Sequence, residues 1–354
     1  MTKRYKAEEL TKFAAAMLAA AGLNSAHAKS TAGTLVEADL LGYTTHGIQF
    51  LPQYCRALEQ GGIARDGEMT VIRDTGSSLV YDADKLSGPW CVGQAVAEAL
   101  RRSETHGTVT ALVRRSHIMA CLATYLLPVI EAGRIGLIFV SSPDGRAVAP
   151  AGGRGGRYST NPMAAGFPTG GDPVLIDMAT SATTNRLTER LAREGRSHVG
   201  EPMLDAEGRP SNDPTVLTGS GGGAIRPLGG DANEHKGFAL ALMIEALSAA
   251  LAGGGHALAE ETGESAGSSA FIQIIDPEAF AGRAVFLREM DALKDWLLAT
   301  PARPGSDGVR LPGQRAFAAR REHLEKGVVL HPSIRPHVEP IAEGYGLKFP
   351  DPIG

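Results

Sequence analysis

Thr108-Val109-Thr110-Ala111-Leu112-Val113, a helical run near Met119 to Glu131, and then Ile135-Gly136-Leu137-Ile138-Phe139-Val140 decide the fold class of this chain. The first stretch is rich in β-branched residues and the last is a short apolar run, so both read as strands flanking a helix. Upstream, Met69 to Arg73 and Ser78 to Asp82 read as strands. Trp90 to His106 reads as a helix with Val92, Ala95, Val96 and Leu100 on its apolar face. Downstream, Val174 to Asp177 leads into a helix from about Ala182 to Glu194, and Ser269 to Ile275 is a late strand. Alternation of this kind predicts an α/β sheet covered by helices.

The flanks differ. Leu10, Phe13, Ala14, Met17 and Leu18 recur at helical spacing until Gly22; Asn24-Ser25 then caps a second helix through Leu41, and a third runs from about Leu51 to Gln60. The segment from Gly195 to Gly230 is polar and rich in proline and glycine, and predicts a long loop. Gly237 to Leu251 predicts the most apolar helix, with Leu240, Met243, Ile244 and Leu247 on one face. Residues 285–299 and 314–326 predict two more, and Glu261 to Gly267 a loop.

A chain of 354 residues, 43% hydrophobic and 21% charged, can bury one large domain or two lobes sharing an interface. Its net charge of -4 gives no electrostatic reason to expect nucleic acid or an acidic membrane as partner, so small molecules are expected instead. Cys55, Cys91 and Cys121 are too few and too scattered for a disulfide framework or a zinc site, and suit a reducing compartment. The amino terminus turns acidic before any apolar run develops, and no stretch of about 18 apolar residues occurs. A soluble, cytoplasmic protein with no membrane partner is expected.

Absent motifs narrow the chemistry. There is no Gly-x-x-x-x-Gly-Lys-Ser/Thr, no His-Glu-x-x-His and no Cys-x-x-Cys, so neither a P-loop nor a metal site is expected. Gly219-Ser220-Gly221 lacks the preceding strand, the third glycine and the following helix of a dinucleotide fingerprint, and reads as a loop.

Several segments look built to hold something. His46, in Tyr43-Thr44-Thr45-His46-Gly47, follows a helix at a glycine-bounded turn, and imidazole exchanges protons near working pH. Arg115-Ser116-His117 follows a strand, at the end where open α/β sheets place ligands; a surface polar turn is the other reading. Tyr158-Ser159-Thr160-Asn161-Pro162 offers donors and acceptors, or a capping turn. His235 and Lys236 fall at the start of the apolar helix, where free N–H groups and a lysine suit an anion, or lie in solvent. Asp177 ends a strand ahead of Thr180-Ser181, in a ligand-facing or a capping role.

Together these segments resemble the type 2 malate/L-lactate dehydrogenase family, NAD(P)-dependent 2-oxoacid reductases without a Rossmann fold. The matching stretches, in family order, are Ala38-Asp39-Leu40, Thr45-His46-Gly47, Leu51-Pro52-Gln53-Tyr54, Ser116-His117, Val148-Ala149-Pro150 with Gly152-Gly153, Thr160-Asn161-Pro162, Asp177 to Ser181, Pro227 to Gly230, His235-Lys236-Gly237 and Leu311-Pro312-Gly313. The resemblance implies a homodimer with a mixed central sheet in an α/β/α arrangement. A helical segment, 1–76, would pack with 300–354 beside a central cofactor-binding domain, 77–299. It implies His46 as proton donor, Asp177 as its indirect partner, and Thr45, Phe50, His117 and Thr160 at the substrate. For the cofactor, NAD or NADP, it implies Met178, Ala179, Thr180, Ser181, His235, Lys236, Gly313, Gln314 and Arg315.

The chain departs from the family pattern at several points. Thr45 replaces serine, Leu41 and Tyr43 stand where arginine and histidine are common, and Glu234 replaces a glycine near the phosphate site. Phe50 stands where an arginine commonly grips the substrate carboxylate, and phenylalanine cannot form that paired hydrogen bond. A simple 2-oxoacid is therefore not the expected substrate, and pyruvate should be turned over weakly. A ketone, an imine, or an oxoacid held by another cation such as Arg115 or Arg154 fits better. A non-catalytic dimer retaining only the scaffold is the second reading.

Overall fold

The computed structural model describes residues 3–218 and 221–353, so the Gly219-Ser220 part of the glycine loop lies outside the described residues. The chain opens with β1 (Arg4–Tyr5), α1 (Ala7–Ala20), α2 (Ser25–Leu40) and α3 (Leu51–Glu59). It continues through β2 (Thr70–Asp74), β3 (Ser78–Asp82), α4 (Gly88–Ser103), β4 (Thr108–Ser116), α5 (Ala123–Glu131), β5 (Ile135–Ser141), β6 (Met163–Phe167), β7 (Val174–Met178) and α6 (Asn185–Arg193). Three short strands follow, β8 (Met203–Leu204), β9 (Pro210–Ser211) and β10 (Ala224–Ile225), and then α7 (Gly230–Glu245), α8 (His256–Thr262) and β11 (Ser268–Ile275). The chain ends with α9 (Arg283–Leu298), α10 (Gln314–Lys326), β12 (Val328–Val329) and α11 (Ile334–Gly344).

Seven strands form the central sheet in the order β2-β3-β4-β11-β5-β6-β7. Only the β3–β4 pair is parallel; β11 runs antiparallel to both β4 and β5, pairing Ile272 with Ala111 on one side and with Ile138 on the other. The sheet is therefore mixed and not Rossmann-like, with β11 the late strand completing its centre. On one face α4 and α5 bury Val92, Val96, Leu126 and Val129 against Val109, Val113, Ile138 and Ile272. On the other, Leu112, Phe139 and Phe271 meet Ile244 and Ala252 from the far end of α7 and beyond it. Gly136 permits the close seat of α5, because a Cβ there would stand 2.5 Å from a methyl of Leu126.

A second core gathers both chain ends. Leu10, Met17 and Leu35 of the first two helices, with Tyr54 and Leu58 of α3, enclose Val328, Ile334, Val338 and Phe349. The β1–β12 pair, Arg4 with Val329 and Tyr5 with Val328, ties the termini together.

The structure adds elements that the sequence pattern does not announce. β6, α8 and α11 form from segments without a clear period, and the expected long loop between 195 and 230 contains the small sheet β10-β8-β9. The apolar helix begins at Gly230, seven residues earlier than its hydrophobic pattern, because that first turn is polar and solvent-facing.

Candidate active site

The His46 turn is fixed from two sides. Asp39, in the last turn of α2 and wholly buried, reaches forward so that its Oδ2 accepts the Ile48 N–H at 2.8 Å. Gly47 is required by this approach, since a Cβ there would lie 2.2 Å from the Asp39 carboxyl group. From the other side comes Arg190 of α6, itself only 5% exposed. Its Nη1 and Nη2 donate to the Thr44 hydroxyl at 3.1 Å and the Thr44 carbonyl at 2.6 Å, and its Nε donates to Gln49 at 2.9 Å. Burial pushes the Asp39 carboxyl up to about 7, against the Ile48 N–H and the Arg190 charge that favour its ionised form.

The turn presents His46 to a cleft of about 380 Å³. The Thr45 hydroxyl lies 2.8 Å from His46 Nδ1. Among the described residues Nε2 has no hydrogen-bond partner, so the proton-exchanging nitrogen is free for a ligand. The imidazole packs edge-on against Phe50, 5.6 Å between centroids. Burial holds its pKa down at about 4, helped by the charges of Arg186 and Arg190.

His117 reaches the same cleft from the end of β4, its backbone N–H donating to Leu86 O at 3.0 Å. Its ring lies against Tyr54, 5.1 Å between centroids, and its buried Nδ1 has no partner among the described residues. Burial, and then the Arg186 charge, also holds His117 down at about 4. Thr160 lines the opposite wall, and its carbonyl accepts the Thr180 N–H at 3.1 Å. Ser159 and Pro162 line the cleft as well, while the other two residues of that segment serve the scaffold: Tyr158 donates to Ala149 O at 3.3 Å, and Asn161, at φ +37°, donates to Ala241 O at 3.1 Å.

Other sequence candidates lie elsewhere. Asp177 does not enter the His46 cleft; its Oδ2 accepts the Ala123 N–H at 2.8 Å and the Cys121 thiol at 3.4 Å, anchoring the start of α5. It edges a separate surface depression with Met178, Gly313 and Arg315. Gln314 turns back, its Oε1 accepting the Leu311 N–H at 2.9 Å. Thr180 and Ser181 continue from Met178 toward α7, where Ser181 bridges Pro227 and Leu228 N donates to Thr180 O at 2.9 Å. His235 and Lys236, expected at the helix start, lie instead in the second turn of α7, both exposed, because the helix begins at Gly230. Glu234 accepts from Arg226 at 3.5 Å and from Gly152 N at 3.1 Å, so its charge is partnered. Arg115 is spent on Asp82 at 2.9 Å and Asp84 at 3.0 Å, and Arg154 is exposed outside the cleft.

Two arginines at the site escape the sequence reading. Arg186 and Arg190 stand at i and i+4 on α6, which places them on one face of the helix. Arg186 lines the cleft beside His46 and His117. The only signal in the sequence is an arginine pair on a helix that also buries Leu191, and that pattern is equally typical of a solvated helix.

The profile of the malate/L-lactate dehydrogenase family matches residues 5–338. The chain belongs to this family. It is 32% identical over 339 residues to an L-lactate dehydrogenase from Cupriavidus necator, covering 94% of this chain and 95% of the relative. It is 31% identical to a Delta(1)-pyrroline-2-carboxylate/Delta(1)-piperideine-2-carboxylate reductase from Pseudomonas syringae pv. tomato, with 82% of each covered. The fold agrees with malate dehydrogenase from Pyrococcus horikoshii, TM-score 0.86 at 26% identity over 98% of this chain and 96% of that one. Malate dehydrogenase from Entamoeba histolytica has the same fold, TM-score 0.90 at 24% identity, covering 99% and 100%.

Membership in a malate/L-lactate dehydrogenase family, matched nearly end to end, makes the chain an oxidoreductase and implies a nicotinamide cofactor. The second reading, a scaffold without activity, is set aside. Within the family fold Leu41 is buried in the main core with Tyr43 packed against it, so these two departures are matters of packing.

Proposed function

We propose that this protein transfers a hydride between NAD or NADP and a small carbonyl or imine substrate, with His46 as the proton donor in reduction and acceptor in oxidation. The observation that supports this reading best is a histidine with one nitrogen engaged by Thr45 and the other free in a cleft. When bound, the cofactor supplies or takes the hydride, two electrons and one hydrogen nucleus, at the substrate carbon. In reduction His46 gives the Nε2 proton to the substrate oxygen or nitrogen; in oxidation it takes that proton back. Such a group contributes roughly 10²- to 10⁴-fold in rate. Holding it against the substrate, the work of Thr45, Asp39 and Arg190, contributes through placement.

The residues present fit a dinucleotide. The start of α7 offers free N–H groups, with the exposed Lys236 one turn further along, and Arg226 offsets part of the charge of Asp231 and Glu234. His235 and Lys236 would hold phosphate; Met178, Ala179, Thr180 and Ser181 would run alongside the cofactor, with Gly313, Gln314 and Arg315 bordering it. Thr160 and His117 would orient the substrate. Asp177 would act from a distance, by fixing the start of α5 behind the cleft.

Phe50 presents an apolar ring where the family pattern expects a cation. With Met119 and Leu122 on the same cleft it favours a substrate larger than pyruvate, which is expected to react weakly. We further propose two regions, 1–76 with 300–354 and 77–299, and a homodimer, consistent with the solvent exposure of Leu242 (60%) and Leu251 (58%) on and after α7. Three buried free thiols suit the cytoplasm. No described helix is long and apolar enough to cross a membrane.

The test is a melting experiment with NADH and with NADPH, followed by a screen of oxoacids, cyclic imines and neutral ketones for cofactor oxidation. A ligand that binds the folded state alone must raise the melting temperature. A shift with at least one cofactor is expected, and none with either, far above a plausible dissociation constant, contradicts the reading.

A further inference from the structure

We propose that Arg186 receives the substrate's carboxylate, so that the substrate is a monocarboxylic 2-oxo or 2-imino acid held by a cation from α6 instead of from residue 50. The inference rests on the redox reading of the His46 cleft and adds the substrate class.

Two charged side chains other than histidine line the cleft, Arg186 and Asp144. Asp144 is committed to the 265–267 loop, accepting the Ser265 hydroxyl at 2.5 Å and the Gly267 N–H at 2.9 Å. Arg186 is thus the one permanent cation of the lining among the described residues. It stands in the first turn of α6, whose start is capped by the Thr184 hydroxyl accepting the Leu187 N–H at 3.3 Å. Its guanidinium lies over the Phe50 ring, 4.9 Å from the centroid, the arrangement in which an aromatic face attracts and orients a cation. The residue that removes a cation from position 50 therefore becomes the platform for another.

The guanidinium is held without being used up. Nη1 donates to Glu189 at 2.5 Å and Nη2 to Gln53, while Nε has no partner among the described residues. Glu189 is half-buried, its side chain 36% exposed beside 22% for Arg186, and it engages only Nη1, which leaves Nε open to a substrate carboxylate. Burial first, and then the charge of Arg186, holds both His46 and His117 toward the neutral form. A carboxylate on Arg186 offsets that charge, and so favours the protonated His46 that reduction needs. Substrate binding and proton loading are coupled through one side chain. With a single cation and Asp144 on the same cleft, a second carboxylate has no receptor, which disfavours dicarboxylic acids.

The experiment uses the full chain with both cofactors, 2-oxoisocaproate, its uncharged methyl ester and oxaloacetate as substrates, and oxamate as a non-reacting carboxylate followed by calorimetry. Wild-type protein should prefer 2-oxoisocaproate to both the ester and oxaloacetate. In Arg186→Gln the acid-over-ester preference should fall about 30-fold or more, mainly through KM, since losing one charged contact costs on that order. Oxamate binding should weaken in parallel, and Arg186→Lys should recover part of both. Unchanged melting of the lysine variant guards against misfolding. Oxamate binding that is absent in wild type, or unchanged in Arg186→Gln, overturns the proposal. So does a wild type that reduces the ester as well as the acid, and in that case the redox reading stands. If neither cofactor supports any turnover while oxamate still needs Arg186, the carboxylate site stands and the redox reading fails.

Discussion

The Thr45 hydroxyl stands 2.8 Å from Nδ1 of His46, and this contact selects which imidazole nitrogen faces the cleft. When the hydroxyl donates, the proton of the neutral ring sits on Nε2. Thr45→Val keeps the shape and removes the contact, and should lower kcat about tenfold with KM little changed, while Thr45→Ser restores it. Steady-state kinetics on the three proteins checks this.

The depressed pKa of His46, about 4, gives the two reaction directions different pH profiles. Reduction needs the imidazolium, whose fraction in the free enzyme falls about tenfold per pH unit above that value. Oxidation needs the neutral ring, already dominant there. From about pH 5 to 8, kcat/KM for reduction should fall steadily with rising pH and kcat/KM for oxidation should not. Parallel profiles in both directions contradict this account of His46.

Arg190 holds the turn through Thr44 and Gln49, and removing it strands buried acceptors. Arg190→Met should cost about 3 kcal/mol of stability. Well below its melting temperature it should still show kcat reduced about tenfold, yet keep the rise in melting temperature caused by the cofactor. A variant that loses stability alone would make Arg190 merely structural.

Asp177 separates a scaffold role from a chemical one. Burial raises its carboxyl to about 6 from an ordinary 3.8, so between those values the folded protein keeps a proton that the unfolded chain has released. Stability contributed this way is present at low pH and lost as pH rises through that window, up to about 3 kcal/mol. Asp177→Asn does not titrate. Its stability relative to wild type should therefore climb between about pH 4 and 6 and level off above, as read from urea unfolding at each pH.

The central sheet was legible because β4, β5 and β11 are β-branched or apolar runs of strand length, and the flanking helices carry clear apolar faces. β6, Met163-Ala164-Ala165-Gly166-Phe167, was not: its small residues have weak strand propensity, and it becomes a strand by pairing between β5 and β7. α11 was hidden by Pro336 and Pro340. At the site, His46, Thr45, Phe50, His117 and Thr160 were legible through their motifs, and the structure brings all but Thr45 directly to one cleft wall or another. Arg186 and Arg190 were not, because their partners lie in the distant α2–α3 region and no local pattern records that contact.

Substituting His46→Asn, and measuring single-turnover hydride transfer beside cofactor binding, tests the central claim most directly. An asparagine amide does not exchange protons as an imidazole does, so the variant should bind NADH or NADPH as wild type does and transfer hydride about 10²- to 10⁴-fold more slowly. Hydride transfer within a few fold of wild type, at saturating cofactor and substrate, would contradict it.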